Sequence, residues 1–247
     1  MKLLSIVIPI SGESSDTLDN LYDWMVASES TYGEEQIEWI VSLDDTDPTL
    51  QSYKDSKLSD NVLVDKIRSK SDFRVTTCSK GRGIQMNEGA RASTGDILLF
   101  LHCDTRLDNG WLEALLRMPR DWNWGAFSPA IEAEGLLFRI AERFGKFRSR
   151  TLSLPYGDQA IFVERSLFEK SGGYCQEILF MEDLHLSQRL AKMAGEPRIL
   201  DCRAITSGRR WQDKDKHPVN QSIKNLLALA AFKSGLGRDK IESWYRS

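Results

Sequence analysis

Apolar residues occur along the chain in short unbroken runs, and most runs are followed by turn-forming or charged residues. Such runs, rich in β-branched residues and bounded by Gly, Pro, Asp or Ser, predict strands that are buried on both faces of a sheet. The predicted strands are Leu3–Ile8, which Pro9 closes, then Ile37–Leu43, Phe73–Thr77, Ile97–Leu101, Gly125–Ile131, Ala160–Val163 and Ile199–Ile205.

Between these runs the apolar spacing changes to the three- and four-residue period of amphipathic helices. The first predicted helix begins at a cap among Ser14, Ser15 or Asp16. Further helices are predicted at 84–92, 111–117, 136–150, 184–193 and 219–245, and one more inside 51–71. Strands that alternate with helices predict an α/β domain with a mostly parallel sheet and right-handed crossovers. Since no repeat or low-complexity linker divides the chain, we predict one domain over 1–215 with a helical C-terminal extension over 216–247.

The stretch Lys80–Leu107 places an ionisable group at the end of a predicted strand. A turn that contains glycine and arginine, Lys80–Gly83, leads into a short helix, and the apolar run Ile97–Leu101 ends shortly before Asp104. Ligands of α/β proteins bind beyond the carboxyl ends of the strands. We therefore expect Asp104 to lie in the functional site.

Composition narrows the class of protein. The chain has 247 residues, of which 41% are hydrophobic, and this is enough to bury a sizeable core. A formal net charge of −3 and a pI near 5.7 disfavour a general nucleic-acid binder, which usually carries a basic excess. The four cysteines are widely spaced and form no C-x-x-C pair, which favours reduced thiols and a cytoplasmic location.

No segment is predicted to cross a membrane. The apolar run at the N-terminus is interrupted by Pro9 and lacks a small-residue cleavage site, so we interpret it as a strand rather than a signal peptide. No apolar run approaches the length of roughly eighteen residues that a spanning helix needs. We expect a cytoplasmic protein, with peripheral contact at the inner face of the membrane as the alternative.

Acidic residues fall at three predicted strand ends or helix starts, namely Asp44/Asp45, Asp104 and Glu182/Asp183. Each alone fits a structural role, because Asp-rich turns and acidic helix starts are common. Together at one sheet edge they predict an oxygen-rich site for a hard divalent cation such as Mg²⁺ or Mn²⁺. Basic residues expected at the same edge suit a phosphate-bearing ligand: Arg82, Arg209 and Arg210.

Six ordered segments carry a resemblance to a known family: SIVIPISGE, GRGIQMNEGARASTGDILLFLHCDT, YGDQAIFV, GGY, MEDLHLSQRL and TSGRRW. In these segments the chain resembles the family 2 glycosyltransferases, in particular a small bacterial branch named for arsenosugar biosynthesis. The resemblance spans nearly the whole chain. It implies the GT-A fold, a three-layer α/β/α sandwich with a mostly parallel mixed sheet, here followed by a helical C-terminal extension.

The resemblance also implies functional residues. Asp104 is expected to hold Mn²⁺ or Mg²⁺ against the diphosphate of a nucleotide-sugar, Asp183 to act as general base, and Glu182 to lie beside it. The implied reaction is a metal-dependent transfer of the sugar to an acceptor hydroxyl, with inversion at the anomeric carbon. The residues expected to contact the nucleotide-sugar or acceptor are Pro9, Glu13, Asp44, Asp45, Arg82, Asn87, His102, Gly157, Asp158, Gln159, Arg209, Arg210 and Trp211.

One motif departs from the family's pattern. The usual Asp-x-Asp reads His102-Cys103-Asp104, so the first carboxylate is missing. His102 fits packing or a neutral hydrogen bond, a contact with the ribose, or a metal ligand. His217 is an alternative metal ligand.

The helix at 136–150 carries basic residues at helical spacing: Arg139, Arg143, Lys146 and Arg150. One interpretation is a solvated face. The other is contact with an anionic or lipid-linked acceptor, or with a membrane surface.

Two alternative functions remain at this point. A nucleotidyltransferase would normally have a glycine-rich phosphate loop and a lysine after the first strand, whereas SGESSD has one glycine and no lysine. A catalytically silent nucleotide-sugar binder would explain the missing aspartate, but Asp104, Glu182 and Asp183 are present. We therefore favour the transferase.

Overall fold

A computed structural model describes residues 4–32, 37–46, 73–119, 121–178 and 180–208, together with 224, 227–231, 241 and 243–244. The described strands are β1 (Leu4–Ile10), β2 (Ile37–Asp44), β3 (Phe73–Cys78), β4 (Ile97–Phe100), β5 (Thr105–Leu107), β6 (Trp124–Glu132), β7 (Ile161–Glu164) and β8 (Arg198–Ser207). The helices for which both ends are described are α1 (Ser15–Tyr32), α2 (Arg82–Ala92), α3 (Trp111–Leu116), α4 (Leu136–Leu152), α5 (Arg165–Lys170) and α6 (Glu182–Ala194). A 3₁₀ turn, Gly157–Gln159, lies between α4 and β7.

The strands form one eight-stranded sheet in the order β3-β2-β1-β4-β7-β6-β8-β5. The N-terminal half, from β3 to β4, is entirely parallel. β7 pairs antiparallel with both β4 and β6, and β5 pairs antiparallel with β8, while β6 and β8 are parallel. The predicted mixed, mostly parallel α/β sheet is confirmed.

Helices cover both faces of this sheet, because alternate strand residues point to opposite sides. On one face Ile6, Ile8 and Leu99 pack with α1 and α3. On the other face Val7 and Phe100 pack with α2, α5 and α6. The result is the expected three-layer arrangement.

Strand β1 is longer than predicted, because it continues through Pro9 to Ile10. Its pairing with β4 ends at Val7, so Pro9 is paired only with β2, opposite Ser42. A proline is tolerated where one side of a strand has no ladder to maintain. The extension delivers Pro9 and Ser11 to the carboxyl edge of the sheet.

Two short elements were not predicted, β5 and α5, whereas the turn that the sequence predicts at Tyr156–Gln159 is present as the 3₁₀ turn. The predicted helix inside 51–71 lies outside the described residues. Residues 227–231 of the predicted C-terminal helix are helical, and Ala228 and Leu229 are buried there. The domain boundary at 215/216 stays a prediction. Among the described residues, no helix is long and apolar enough to cross a membrane.

Candidate active site

A cavity of about 600 Å³ opens at the carboxyl edge of the sheet. It lies past the ends of β1 and β4 and is closed by the first turns of α2 and α6. Its lining contains the following site residues predicted from the sequence: Pro9, Glu13, Arg82, His102, Asp104, Glu182 and Asp183. Two of the three predicted acidic clusters therefore meet in one cavity.

An ion pair joins the first turns of α2 and α6 across the cavity. Arg82 Nη1 lies 3.2 Å from Glu182 Oε1, and the Glu182 side chain is only 5% exposed. Burial and the charge of Asp183 raise the pKa of Glu182 to about 7, against the opposing effect of Arg82. Burial disfavours the charged form of Arg82, yet the charges of Glu182, Asp183 and Asp104 outweigh it and raise the pKa of Arg82. Arg82 is thus a cation surrounded by carboxylates.

The Asp183 carboxylate is held in one orientation by backbone donors. Its Oδ2 accepts a hydrogen bond from the Gly157 amide at 2.6 Å, and its Oδ1 accepts one from the Leu184 amide at 2.7 Å. Met181, the residue before the helix, adopts a left-handed conformation with φ of 60°, at a cost of roughly 1–2 kcal/mol for a residue with a side chain. Strain of this kind is often found where a functional group must be aimed.

Gly157 fits tightly between two predicted site residues. A Cβ at this position would lie 2.6 Å from His102 Nε2 and 3.4 Å from Asp183 Oδ2. A side chain cannot be added there unless His102 or the turn moves. The absence of a side chain at 157 thereby allows its amide to reach Asp183.

Beside Asp104, the thiol of Cys103 is buried and hydrogen-bonded to Glu13. Burial, together with the negative charges of Glu13 and Asp104, raises the pKa of Cys103. Cys103 is therefore a neutral thiol, and it does not replace the missing aspartate as an anionic ligand.

The part of the chain that the structure describes contains no group of three or more His, Cys, Asp or Glu side chains arranged to hold a metal ion. Asp104 supplies a carboxylate to the cavity. Mg²⁺ commonly binds through one or two carboxylates, with waters and substrate phosphates as the remaining ligands. The cavity thus fits a metal held jointly by Asp104 and a diphosphate, and it does not fit a preformed protein cage.

Asp44 does not line the cavity itself, but it is hydrogen-bonded to Ser11, which does. The Ser11 hydroxyl donates to Asp44 Oδ2, and the Thr46 amide donates to Oδ1 at 2.9 Å. Burial opposes ionisation of Asp44, but these hydrogen bonds outweigh it and lower its pKa. Ser11 lines the cavity, while Asp45 is exposed at the end of β2.

Other predicted residues are not part of the cavity lining. The Asn87 amide bonds the backbone of Tyr174 through both of its polar atoms, at 2.7 and 2.8 Å. Gln159 is fully buried and bonds Arg148, Ser149 and the Phe127 carbonyl. Asp158 is half-buried in the same 3₁₀ turn. The expected ligand contacts of these three residues stay predictions, as do those of four residues outside the described part of the chain: Arg209, Arg210, Trp211 and His217.

The cavity also contains residues that the sequence reasoning missed. Gln85 is buried and donates to the carbonyls of Ile10 and Ser42, so it ties α2 to the ends of β1 and β2. Lys80 adds a second cation near Arg82, and its place beside the Gly-Arg turn was the available signal. The remaining lining residues gave no such signal: Ser11, Gly81, Cys103, Tyr156, Phe180, Met181 and Leu184.

The fold is that of the GT-A glycosyltransferases. Residues 5–123 match the sequence model of Glycosyl transferase family 2. These residues, nearly half of the chain, are thus similar in sequence to family 2 glycosyltransferases. Nothing places the chain in the smaller bacterial branch that the sequence resembles, so that finer assignment stays a prediction.

Solved structures share the fold. Mannosyltransferase PcManGT from Pyrobaculum calidifontis, in complex with GDP-Man and Mn²⁺, matches with a TM-score of 0.64 and 15% identity over 94% of this chain. S. aureus TarS 1–349 matches with a TM-score of 0.58 and 16% identity over 93% of this chain. The same TarS fragment in complex with UDP-GlcNAc gives a TM-score of 0.59, with 16% identity, 92% of this chain and 66% of that chain covered. The chain spans 64% of the length of the first two.

Proposed function

We propose that the protein transfers a sugar from a nucleoside-diphosphate sugar to an acceptor hydroxyl, with inversion at the anomeric carbon. The observation that carries the proposal is one cavity in which Asp104, the cation Arg82 and the backbone-anchored Asp183 meet. A leaving diphosphate needs compensating positive charge, and an attacking hydroxyl needs a base. The cavity contains residues for both tasks.

The donor is expected to bind along the edge from β1 to α2. Pro9 and Glu13 would line the nucleoside pocket, with Asp44 orienting Ser11 behind it. Arg82 and Lys80 would lie along the diphosphate and neutralise charge as it leaves. Complexes of the fold relatives with GDP-Man and with UDP-GlcNAc support a nucleotide-sugar as the ligand class.

Asp104 would hold a divalent cation together with the diphosphate oxygens, as its position in the cavity allows. When bound, Mn²⁺ or Mg²⁺ supplies Lewis-acid stabilisation of the departing diphosphate. Mn²⁺ in the PcManGT complex supports a metal of this kind.

Asp183 is proposed as the general base. Both of its oxygens accept backbone hydrogen bonds, so the carboxylate enters the reaction already oriented and has little rotational freedom to lose. It would take the acceptor proton as the hydroxyl attacks from the face opposite the diphosphate, which produces inversion. Glu182 would hold Arg82 rather than contact the acceptor.

A catalytically silent nucleotide-sugar binder is the second candidate. The missing first carboxylate of the Asp-x-Asp motif favours it, since the described cavity offers no metal cage. The anchored Asp183 argues against it, because a binder has no need of an oriented base.

Donor binding is tested by thermal unfolding against UDP-, GDP- and dTDP-sugars, each with Mn²⁺ and with chelator. A ligand at a hundred times its Kd adds about 2.7 kcal/mol, which raises the Tm of a domain of this size by several degrees. We expect a metal-dependent rise with one nucleotide, and its loss in Asp104→Asn. The matched control is Asp96→Asn, an exposed aspartate before β4. If no nucleotide-sugar changes the Tm of the wild type, the proposed donor site is wrong.

A further inference from the structure

Helix α4 turns its apolar residues away from the protein. Leu136, Ile140, Phe144 and Phe147 are 75%, 53%, 41% and 59% exposed. They are spaced by four, four and three residues, so they form one continuous row on the helix surface. We name these four residues the apolar stripe. An ordinary surface helix has the opposite arrangement, with its apolar side on the core.

The opposite side of α4, which packs on the protein, is small and polar. Gly145 faces Pro129, where an added Cβ would lie 2.9 Å from the proline Cγ. Ser149 and Arg148 are buried, and both donate to Gln159, at 2.7 and 2.8 Å. The outward position of the stripe is therefore fixed by specific packing and hydrogen bonds on the inner side.

A row of cations borders the apolar stripe. Arg139, Arg143 and Arg150 are exposed and Lys146 is partly exposed, and helical periodicity puts all four on one flank of the stripe. We name these four residues the basic row. Glu142, the acidic residue of this helix, accepts a hydrogen bond from the Ile131 amide at 2.8 Å and pairs with Arg139 at 2.9 Å. The exposed Asp201 on β8 pairs with Lys146 at 2.8 Å and with Arg150 at 3.0 Å. The four cations of the basic row outnumber these two carboxylates, so the outward face of α4 is apolar with an excess of positive charge, on a protein whose net charge is −3.

This combination is the signature of a helix that lies in the interface of an anionic bilayer. Apolar side chains enter the acyl boundary, while lysine and arginine side chains contact the anionic headgroups. We propose that α4 docks the protein on an anionic lipid surface through the apolar stripe and the basic row.

The docking helix is continuous with the candidate active site. Arg148 on α4 lies over the ring of Tyr156, 3.3 Å from its centroid, and Tyr156 lines the cavity. The next residue, Gly157, donates its amide to Asp183. A surface that holds α4 would therefore lie close to the base, so the acceptor hydroxyl would belong to a membrane lipid. This last step rests on the proposed transfer reaction.

Vesicle flotation tests the docking without any donor or acceptor. The vesicles are pure phosphatidylcholine, or phosphatidylcholine with about one third phosphatidylglycerol. The wild-type chain is expected to float with the anionic vesicles and to remain unbound with the neutral ones. Two variants are compared: Arg139→Glu/Arg143→Glu, which reverses part of the basic row, and Ile140→Ser/Phe147→Ser, which removes half of the stripe. Each is expected to lower binding at least tenfold, the first because cations are attracted to anionic headgroups and the second because insertion of apolar side chains holds an interfacial helix in the bilayer.

A matched control is Arg91→Glu/Arg117→Glu, which makes the same charge change at two exposed positions away from α4, one on α2 and one directly after α3. This control is expected to bind anionic vesicles like the wild type. A Tm close to that of the wild type in every variant shows that loss of vesicle binding is not caused by loss of the fold. The docking proposal is overturned if the wild type does not float, if both α4 variants float normally, or if light scattering shows a dimer that Ile140→Ser/Phe147→Ser dissociates. Since flotation needs no nucleotide-sugar, its outcome is separate from that of the donor-binding experiment.

Discussion

Substituting Gly157 by alanine tests the geometry of the candidate base most sharply. The backbone of Gly157 has no positive φ, so alanine adds no backbone strain, and its effect must come from the new methyl group. That group would lie 2.6 Å from His102 Nε2. Either the imidazole or the 3₁₀ turn has to move. Movement of the turn withdraws the Gly157 amide from Asp183.

The size of the effect follows from these contacts. A hydrogen bond to a charged group contributes about 1.5–3 kcal/mol, and each 1.4 kcal/mol corresponds to roughly tenfold in rate. We therefore expect Gly157→Ala to lower kcat by about 10- to 100-fold. Overpacking adds an unfolding penalty of about 1–3 kcal/mol. The donor Kd is expected to change little, because Gly157 does not line the cavity and its amide bonds Asp183.

The assay is release of nucleoside diphosphate from the donor that raises the Tm, with water in place of the acceptor. The control is Gly110→Ala, at which an added Cβ meets nothing within 4 Å but φ is +82°. This control should lose about 1 kcal/mol of stability from backbone strain and keep its rate. If Gly157→Ala keeps the wild-type kcat, the Gly157 amide does not position the base, and the reasoning is refuted.

Two other predictions concern buried charges near the cavity. Because the pKa of Glu182 is raised from 4.5 to about 7, its contribution to stability is complete below pH ~4.5 and is lost as the pH rises through 7. In urea unfolding, the free energy of unfolding should fall by up to roughly 3 kcal/mol over that pH range. Glu182→Gln is expected to remove this pH dependence. If the free energy of unfolding of Glu182→Gln changes with pH as in the wild type, the raised pKa of Glu182 is contradicted. Arg148→Met keeps the length of the side chain but removes its contacts with Tyr156 and Gln159. We expect kcat to fall about tenfold with an unchanged donor Kd, and a change in Kd alone would count against this positioning role.

Local patterns in the sequence were enough to predict most strands. β2 and β4 are fully buried, so unbroken apolar runs mark them. β5 has three residues and, among the described strands, pairs with β8 alone, and nothing in its local sequence distinguishes it from a loop. Likewise, β1 continues through Pro9 because β2 pairs with it there and β4 does not. The sequence of a strand does not show which neighbouring strand will pair with each of its residues.

The orientation of α4 shows why periodicity alone was insufficient. Its apolar spacing is that of a helix that buries the apolar side, yet Gly145, Arg148 and Ser149 take the buried position. Arg148 is tolerated inside because Gln159 accepts its hydrogen bond and Tyr156 stacks on it. These partners are fixed by the tertiary structure rather than by the helix sequence.

The candidate site was predictable in its components but not in its contacts. Acidic residues at strand ends and helix starts indicated Asp104, Glu182 and Asp183. The ion pair between Arg82 and Glu182 joins residues one hundred positions apart, and the role of Gly157 depends on two side chains that approach it in space. Asn87 shows the converse, since an amide expected near the nucleotide is used to hold the backbone of Tyr174.

Comparing Asp183→Asn with the wild type decides whether Asp183 is the general base. Asparagine keeps the shape of the side chain but removes the proton acceptor. Donor binding is followed by thermal unfolding, and turnover by release of nucleoside diphosphate. We predict an unchanged Tm shift with donor and Mn²⁺, together with a loss of turnover of at least a hundredfold. Full turnover in Asp183→Asn would contradict the account, because the residue that the cavity orients would then not be the base.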